Sequence, residues 1–229
     1  MRLSILICSI RSRRDLLGRL LAILEPQAVA QKNVELLIDA DDGELTIGEK
    51  RNRLLERSVG THVCFIDDDD TVADDYVARL VSALSTDPDC VGFRAKWYED
   101  GRHTADTTYT IRNQKLREIP HGDRFLVERQ PGHLTPIRRE IALAVRFQPW
   151  NYGEDADFSI RVRPYLNTEV FVDHVLYHYW LRNRDARANE KTHPQRWQDD
   201  NFRIERSLKA ALEARDKMKL ETVPPDTDR

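Results

Sequence analysis

His62-Val63-Cys64-Phe65-Ile66-Asp67-Asp68-Asp69-Asp70 is the stretch on which the fold turns. A short apolar run that stops abruptly at four carboxylates reads as a buried strand whose carboxyl end opens onto a polar space. Working outward, Leu3–Cys8 and Val34–Ile38 are earlier runs of the same kind, and Cys90–Phe93 is a later one. Helical patterns separate them. Arg13–Leu24 carries Leu16, Leu17, Leu20, Leu21 and Leu24 at helical spacing; Ile47–Val59 is a second helix; Asp74–Leu84 is a third, with Tyr76, Val77, Leu80, Val81 and Leu84 on its apolar side. Regular strand–helix alternation predicts an α/β domain with a mostly parallel sheet and helices on both faces. Ligands of such sheets bind at the carboxyl ends of strands. Two acidic clusters fall there, Asp39-Ala40-Asp41-Asp42 and Asp67–Asp70.

Beyond Lys96 the rhythm is lost until Gly132. Turn signals at Asp100-Gly101 and His121-Gly122 predict short strands and a long loop. Arg139–Val145 and Glu154–Leu166 read as helices, and Glu169–Val172 and Val175–Trp180 as two closing strands. One domain is therefore expected over residues 1–180. An extension over 181–229 should hold a polar helix, Gln195–Leu220, packed through Trp197, Phe202, Ile204, Leu208 and Leu212, and then a disordered tail from Thr222.

A net charge of −3 gives no global signature of a nucleic-acid or membrane binder. No apolar stretch approaches the roughly 20 residues that span a bilayer, and Met1–Cys8 is too short an apolar run, too quickly followed by Arg11, Arg13 and Arg14, for a signal peptide. The cysteines are Cys8, Cys64 and Cys90. All sit in or beside apolar strands, and an odd number without a C-x-x-C predicts reduced core thiols and a cytoplasmic protein.

Four adjacent carboxylates repel one another, and a cation among them relieves the repulsion. Hard divalent ions such as Mn²⁺ or Mg²⁺ take oxygen ligands and bridge the phosphates of a nucleotide diphosphate. Gly153-Glu154-Asp155-Ala156-Asp157 is a second acidic signal; carboxylates in a first helical turn suit either the helix dipole or general-base chemistry.

Taken in order, Leu3–Cys8, Ile38-Asp39, Ile47-Gly48-Glu49-Lys50-Arg51-Asn52, Phe65–Asp70 and Glu154-Asp155 resemble the motifs of family 2 glycosyltransferases with the GT-A fold, a Rossmann-like sheet flanked by helices. The resemblance implies a metal-dependent inverting enzyme that moves a hexose from a nucleotide sugar, with UDP the expected nucleotide. It implies that Asp39 meets the base or ribose, that Arg51, Asn52 and Asp68 lie at the donor, and that Arg11 reaches the nucleotide. Asp67 and Asp69 become the Asp-x-Asp that holds the metal, joined by His178. Asp155 is implied as general base, with Glu154 second. His133, Arg138 and Trp150 fall near the sugar or acceptor. Asp68 and Asp70 satisfy the same Asp-x-Asp spacing, and the stretch from Asp39 to Gly48 is shorter than the family's usual one.

The expected acceptor is a glycan or a lipid-linked sugar. A hydroxymethylated DNA base stands second, because Ile111–Arg146 holds eight Lys/Arg against four Asp/Glu. Two rival readings remain. Asp67-x-Asp69-x-Thr71 also fits the nucleophile motif of haloacid dehalogenase-type phosphatases, and a GT-A-like domain can bind nucleotide or sugar without transferring it.

Overall fold

The computed structural model describes residues 2–181. The expected C-terminal helix and tail lie outside the described residues. The first strand, β1 (Leu3–Ile10), sends Leu3, Ile5 and Ile7 to one face of the sheet and Leu6 to the other, and all four are fully buried. That two-sided burial is what a central parallel strand requires. A 3-10 turn over Arg11–Arg13 leads into α1 (Arg14–Val29), which buries Leu20, Leu24 and Ala28, one residue per turn. Next come β2 (Val34–Asp41) and α2 (Ile47–Arg57). The start of α2 is a capping box: the Thr46 side chain accepts from the Glu49 N–H, and the Glu49 carboxylate accepts from the Thr46 N–H. Then follow β3 (His62–Phe65), the two-residue β4 (Thr71–Val72), α3 (Tyr76–Ala83) and β5 (Cys90–Glu99).

The middle of the chain is more regular than its polarity suggested. It forms β6 (Arg102–Tyr109), β7 (Arg117–His121) and β8 (Arg124–Arg129). Both turn signals were sound: Asp100 (φ 50°) with Gly101 (φ 76°), and Gly122 (φ 62°), adopt left-handed backbone at the hairpin tips. The chain closes with β9 (Ile137–Arg138), α4 (Arg139–Val145), α5 (Glu154–Val162) and β10 (Glu169–Leu181). The two expected closing strands are therefore one. The polar pair Asp173-His174, which reads as a break, is absorbed as an irregularity in the β5–β10 register between Val172 and Val175.

The strand order is β2-β1-β3-β9-β5-β6-β8-β7, with β10 on the other side of β5 and β4 paired to β10. Strands β2, β1 and β3 are mutually parallel, β10 runs parallel to β5, and β9 is antiparallel between β3 and β5. Helices α1 and α3 cover the face carrying Leu3, Ile5 and Ile7. On the opposite face, α2, α4 and α5 pack through Leu54, Leu55, Ala142, Phe158 and Val162 against Leu6, Val63 and Phe65. Among the described residues no helix is long and apolar enough to cross a membrane.

Candidate active site

The acidic run after β3 alternates in role. Asp68 is turned inward, its side chain only 3% exposed; it accepts hydrogen bonds from the Ser9 hydroxyl (2.6 Å) and from Arg13 (2.7 Å). Asp70 is also buried and accepts from the Tyr177 hydroxyl (2.7 Å) and the Trp180 N–H (2.7 Å), both on β10. Asp67 and Asp69 keep 28% and 21% of their side chains exposed. The alternation leaves Asp67 and Asp69 partly exposed, while Asp68 and Asp70 hold the loop to the sheet.

Asp67 lies at the centre of a charged network. Arg51, on α2, approaches it at 3.1 Å, and His133 Nε2 at 3.4 Å. Burial opposes the charge on Asp67, but His133, Arg51 and Arg13 together hold its carboxyl below the usual range. For Asp69, burial and the neighbouring Asp67 and Asp68 charges outweigh Arg13 and push its carboxyl up. Arg51 is itself buried, lying 5.4 Å from the centre of the Phe65 ring and 5.3 Å from that of Phe147.

The second acidic motif stands across this network. Gly153 takes a left-handed conformation (φ 76°) that turns the chain into α5, so Glu154 and Asp155 occupy its first turn. Their environments differ. The Glu154 side chain is 5% exposed, 3.5 Å from Arg51, and burial pushes its carboxyl up to about 7 against the pull of Arg51. Asp155 is 31% exposed and lines a pocket with Tyr109, Arg129, His133 and Ser159. Burial again works against charge, but His133, Arg129 and Arg51 prevail and hold Asp155 below its ordinary value. His133 Nδ1 lies 3.9 Å from Asp155 while Nε2 faces Asp67, so one imidazole spans the two acidic motifs.

Sequence comparison matches residues 13–146, well over half of the 229, to the family described as Glycosyl transferase family 2. The chain belongs to glycosyl transferase family 2. Solved structures agree on the fold of this family 2 domain. S. aureus TarS 1-349 in complex with UDP superposes with a TM-score of 0.65 at 14% identity, over 92% of this chain and 65% of that one. The complex of the same fragment with UDP-GlcNAc gives 0.61 at 14% identity, over 81% and 60%. S. aureus TarS itself gives 0.60 at 14% identity, over 79% and 37%. The chain thus spans less than two-thirds of the length of each of these TarS chains. No curated protein sequence matches it.

Other residues singled out in the sequence of the family 2 domain have partners outside the Asp67–His133–Asp155 network. Arg11 pairs with Asp42, and Arg13 is the arginine that reaches the acidic loop, because the 3-10 turn swings successive side chains apart. Asn52 bonds the backbone of Phe147 with both ends of its amide. Arg138 pairs with His62 at the start of β3, the end of the strand opposite to Asp67, and is held by Asp87 and Asp89. His178 follows Tyr177 on β10 and so faces the other side of the sheet from the side chain that bonds Asp70; its ring meets Tyr98 at 5.9 Å. It does not join Asp67 and Asp69. Asp39 is buried at the end of β2, chelated by Arg53. Trp150 is half-buried, and its carbonyl accepts from the Gly48 N–H (3.1 Å). The haloacid dehalogenase reading fails with the family assignment.

Arg129 was missed. It stands on β8, part of a polar stretch with no local motif, and reaches Asp155 (3.9 Å) only because β8 pairs with β6 beside Tyr109. Lys50 was missed too: it bonds the Ser9 carbonyl (2.8 Å) and Asp41 (2.7 Å), tying the ends of β1 and β2, and it holds the Asp41 carboxyl down at about 2.

Proposed function

We propose that this domain transfers a hexose from a UDP-sugar to an acceptor hydroxyl with inversion, Asp155 acting as general base. The observation that carries the reading is that two partly exposed carboxylates face opposite nitrogens of one imidazole: Asp67, two residues before Asp69, faces His133 Nε2, and Asp155, which lines the pocket, faces Nδ1. An in-line displacement needs leaving group and base on opposite sides of the reacting carbon, and two carboxylates held apart by one imidazole support that reading. Asp155 takes the proton of the acceptor hydroxyl as its oxygen attacks the anomeric carbon. Arg129 and His133 keep Asp155 ionised, and Glu154, turned into the protein against Arg51, is the poorer candidate.

Among the described residues no three His, Cys, Asp or Glu side chains gather as a ligand set. Asp67 and Asp69 still fit Mn²⁺ or Mg²⁺, which bind through one or two carboxylates with substrate phosphates filling other positions, and the raised carboxyl of Asp69 marks a place where a cation relieves repulsion. Such an ion would neutralise the charge that develops on the departing diphosphate. The UDP complexes of TarS support this choice of nucleotide.

For the acceptor we favour a glycan or a lipid-linked sugar over DNA. The basic bias of Ile111–Arg146 is largely cancelled in three dimensions, where Arg117, Arg124, Arg138 and Arg146 each pair with a carboxylate. Three free cysteines, with burial pushing the Cys8 and Cys64 thiols up to about 12, suit a reducing cytoplasm. Isothermal titration with UDP, UDP-glucose and GDP, with and without Mn²⁺, tests the donor site. Manganese-dependent UDP binding that disappears in Asp69→Ala is expected. Binding of no nucleotide under any metal would overturn the reading.

A further inference from the structure

We propose that Asn52 is a positioning residue for the acceptor-side carboxylates and not a donor contact; the inference rests on the functional reading above. Its side-chain amide forms a closed pair with one backbone residue. Oδ1 accepts from the Phe147 N–H at 2.8 Å, and Nδ2 donates to the Phe147 carbonyl at 2.8 Å. A primary amide satisfied at both ends in this way imitates a strand neighbour and fixes its partner in register.

Two further bonds extend the same seam along α2. The Gly48 N–H donates to the Trp150 carbonyl, and the Ile47 N–H to Asn151 Oδ1 at 3.0 Å. These are N–H groups that a helix start leaves without intrahelical partners, so the loop 147–151 caps α2 from outside. The approach is close enough that a Cβ on Gly48 would lie 1.8 Å from the Gln148 carbonyl oxygen.

What the seam holds is the approach to the base. Phe147 stacks on Phe158 of α5, ring centres 4.0 Å apart and 15° from parallel, and it meets Phe65 edge-on at 5.3 Å. From Phe147 the chain runs through the left-handed Gly153 into Glu154 and Asp155. The neighbouring residue on α2, Arg51, faces Asp67 and Glu154. Helix α2 therefore carries a side chain directed at each half of the site, and Asn52 sets where the second half stands. Displacement of a reacting group by about 1 Å can reduce a rate by about 100-fold.

The experiment compares wild type with Asn52→Ala in the full chain. Two readouts are independent of any acceptor: UDP affinity in Mn²⁺ by calorimetry, and backbone hydrogen exchange over residues 147–157. The proposal expects UDP Kd within about twofold of wild type, exchange of that segment faster by about tenfold or more, and hydrolysis of a UDP-sugar slowed by about 10- to 100-fold. A tenfold weaker UDP Kd with exchange unchanged would overturn it in favour of a donor contact, and no change in either would overturn it outright. Should Asn52→Ala not fold, Asn52→Asp serves, because it keeps the bond from the Phe147 N–H and loses the one to the carbonyl. If the wild type itself binds no UDP, the functional reading fails, while the exchange comparison still decides the role of Asn52.

Discussion

The loop Asp67–Asp70 and the helix start Glu154–Asp155 each set inward carboxylates beside outward ones, but they restrain the inward groups by different means. In the loop, Asp68 and Asp70 accept from a hydroxyl and an arginine on the β1 side, and from a phenol and a backbone N–H on β10. At the helix start, Glu154 faces the guanidinium of Arg51, which Asp67 shares. Hydrogen-bond donors fixed on strands hold a geometry; a shared charge holds a balance. The inward carboxylates of the loop are thus held by fixed donors, and the inward carboxylate of the helix start by a shared charge.

Replacing Asp155 by Asn should have the largest effect, lowering transfer by about 10²- to 10⁴-fold, with UDP affinity unaltered. Near-normal turnover would move the base to another group and erase the functional difference between the outward carboxylates. Tyr177→Phe sharpens the other side of the comparison. It takes the hydroxyl that donates to Asp70 and accepts from the Asp67 N–H, so denaturant titration should show a loss of about 1–3 kcal/mol. An unchanged midpoint would mean that the loop is held by its other contacts.

The smallest effect concerns pH. Burial raises the Glu154 carboxyl to about 7, above its unfolded value. Its contribution to stability is therefore complete below the ordinary glutamate range and is lost as pH rises through about 7. Glu154→Gln removes that loss, so the variant should gain on wild type across this interval when thermal midpoints are measured from acid to mildly alkaline pH. Parallel profiles would show that Arg51 cancels the burial and that the two inward groups are restrained alike.

The parallel half of the sheet was legible because β1 and β3 are buried on both faces and read as largely apolar runs, and because α1 and α3 repeat leucine and valine at helical spacing. Asp67, Asp69 and Asp155 stood out as carboxylates at element boundaries. The charges opposite them did not. Arg13 rather than Arg11 meets the loop because of one 3-10 turn, and Arg129 meets Asp155 through the pairing of β6 with β8. Such partners are chosen by tertiary placement, which local pattern does not encode. Strand β5 was read as ending at Phe93, yet it runs on to Glu99 because β6 and β10 flank its polar half.

The bonds from Tyr177 and Trp180 to Asp70 join residues 107 and 110 positions apart. Contacts of such long sequence separation form late, after the entropy of closing the intervening chain has been overcome. During synthesis β1, β2 and β3 can assemble well before β10 emerges, and Asp68 can then bond Ser9 and Arg13, but Asp70 lacks both of its donors until the chain has been made as far as Tyr177 and Trp180. The acidic loop is therefore completed only with the final strand, and a nascent chain halted before it would carry Asp70 without the donors that turn it inward.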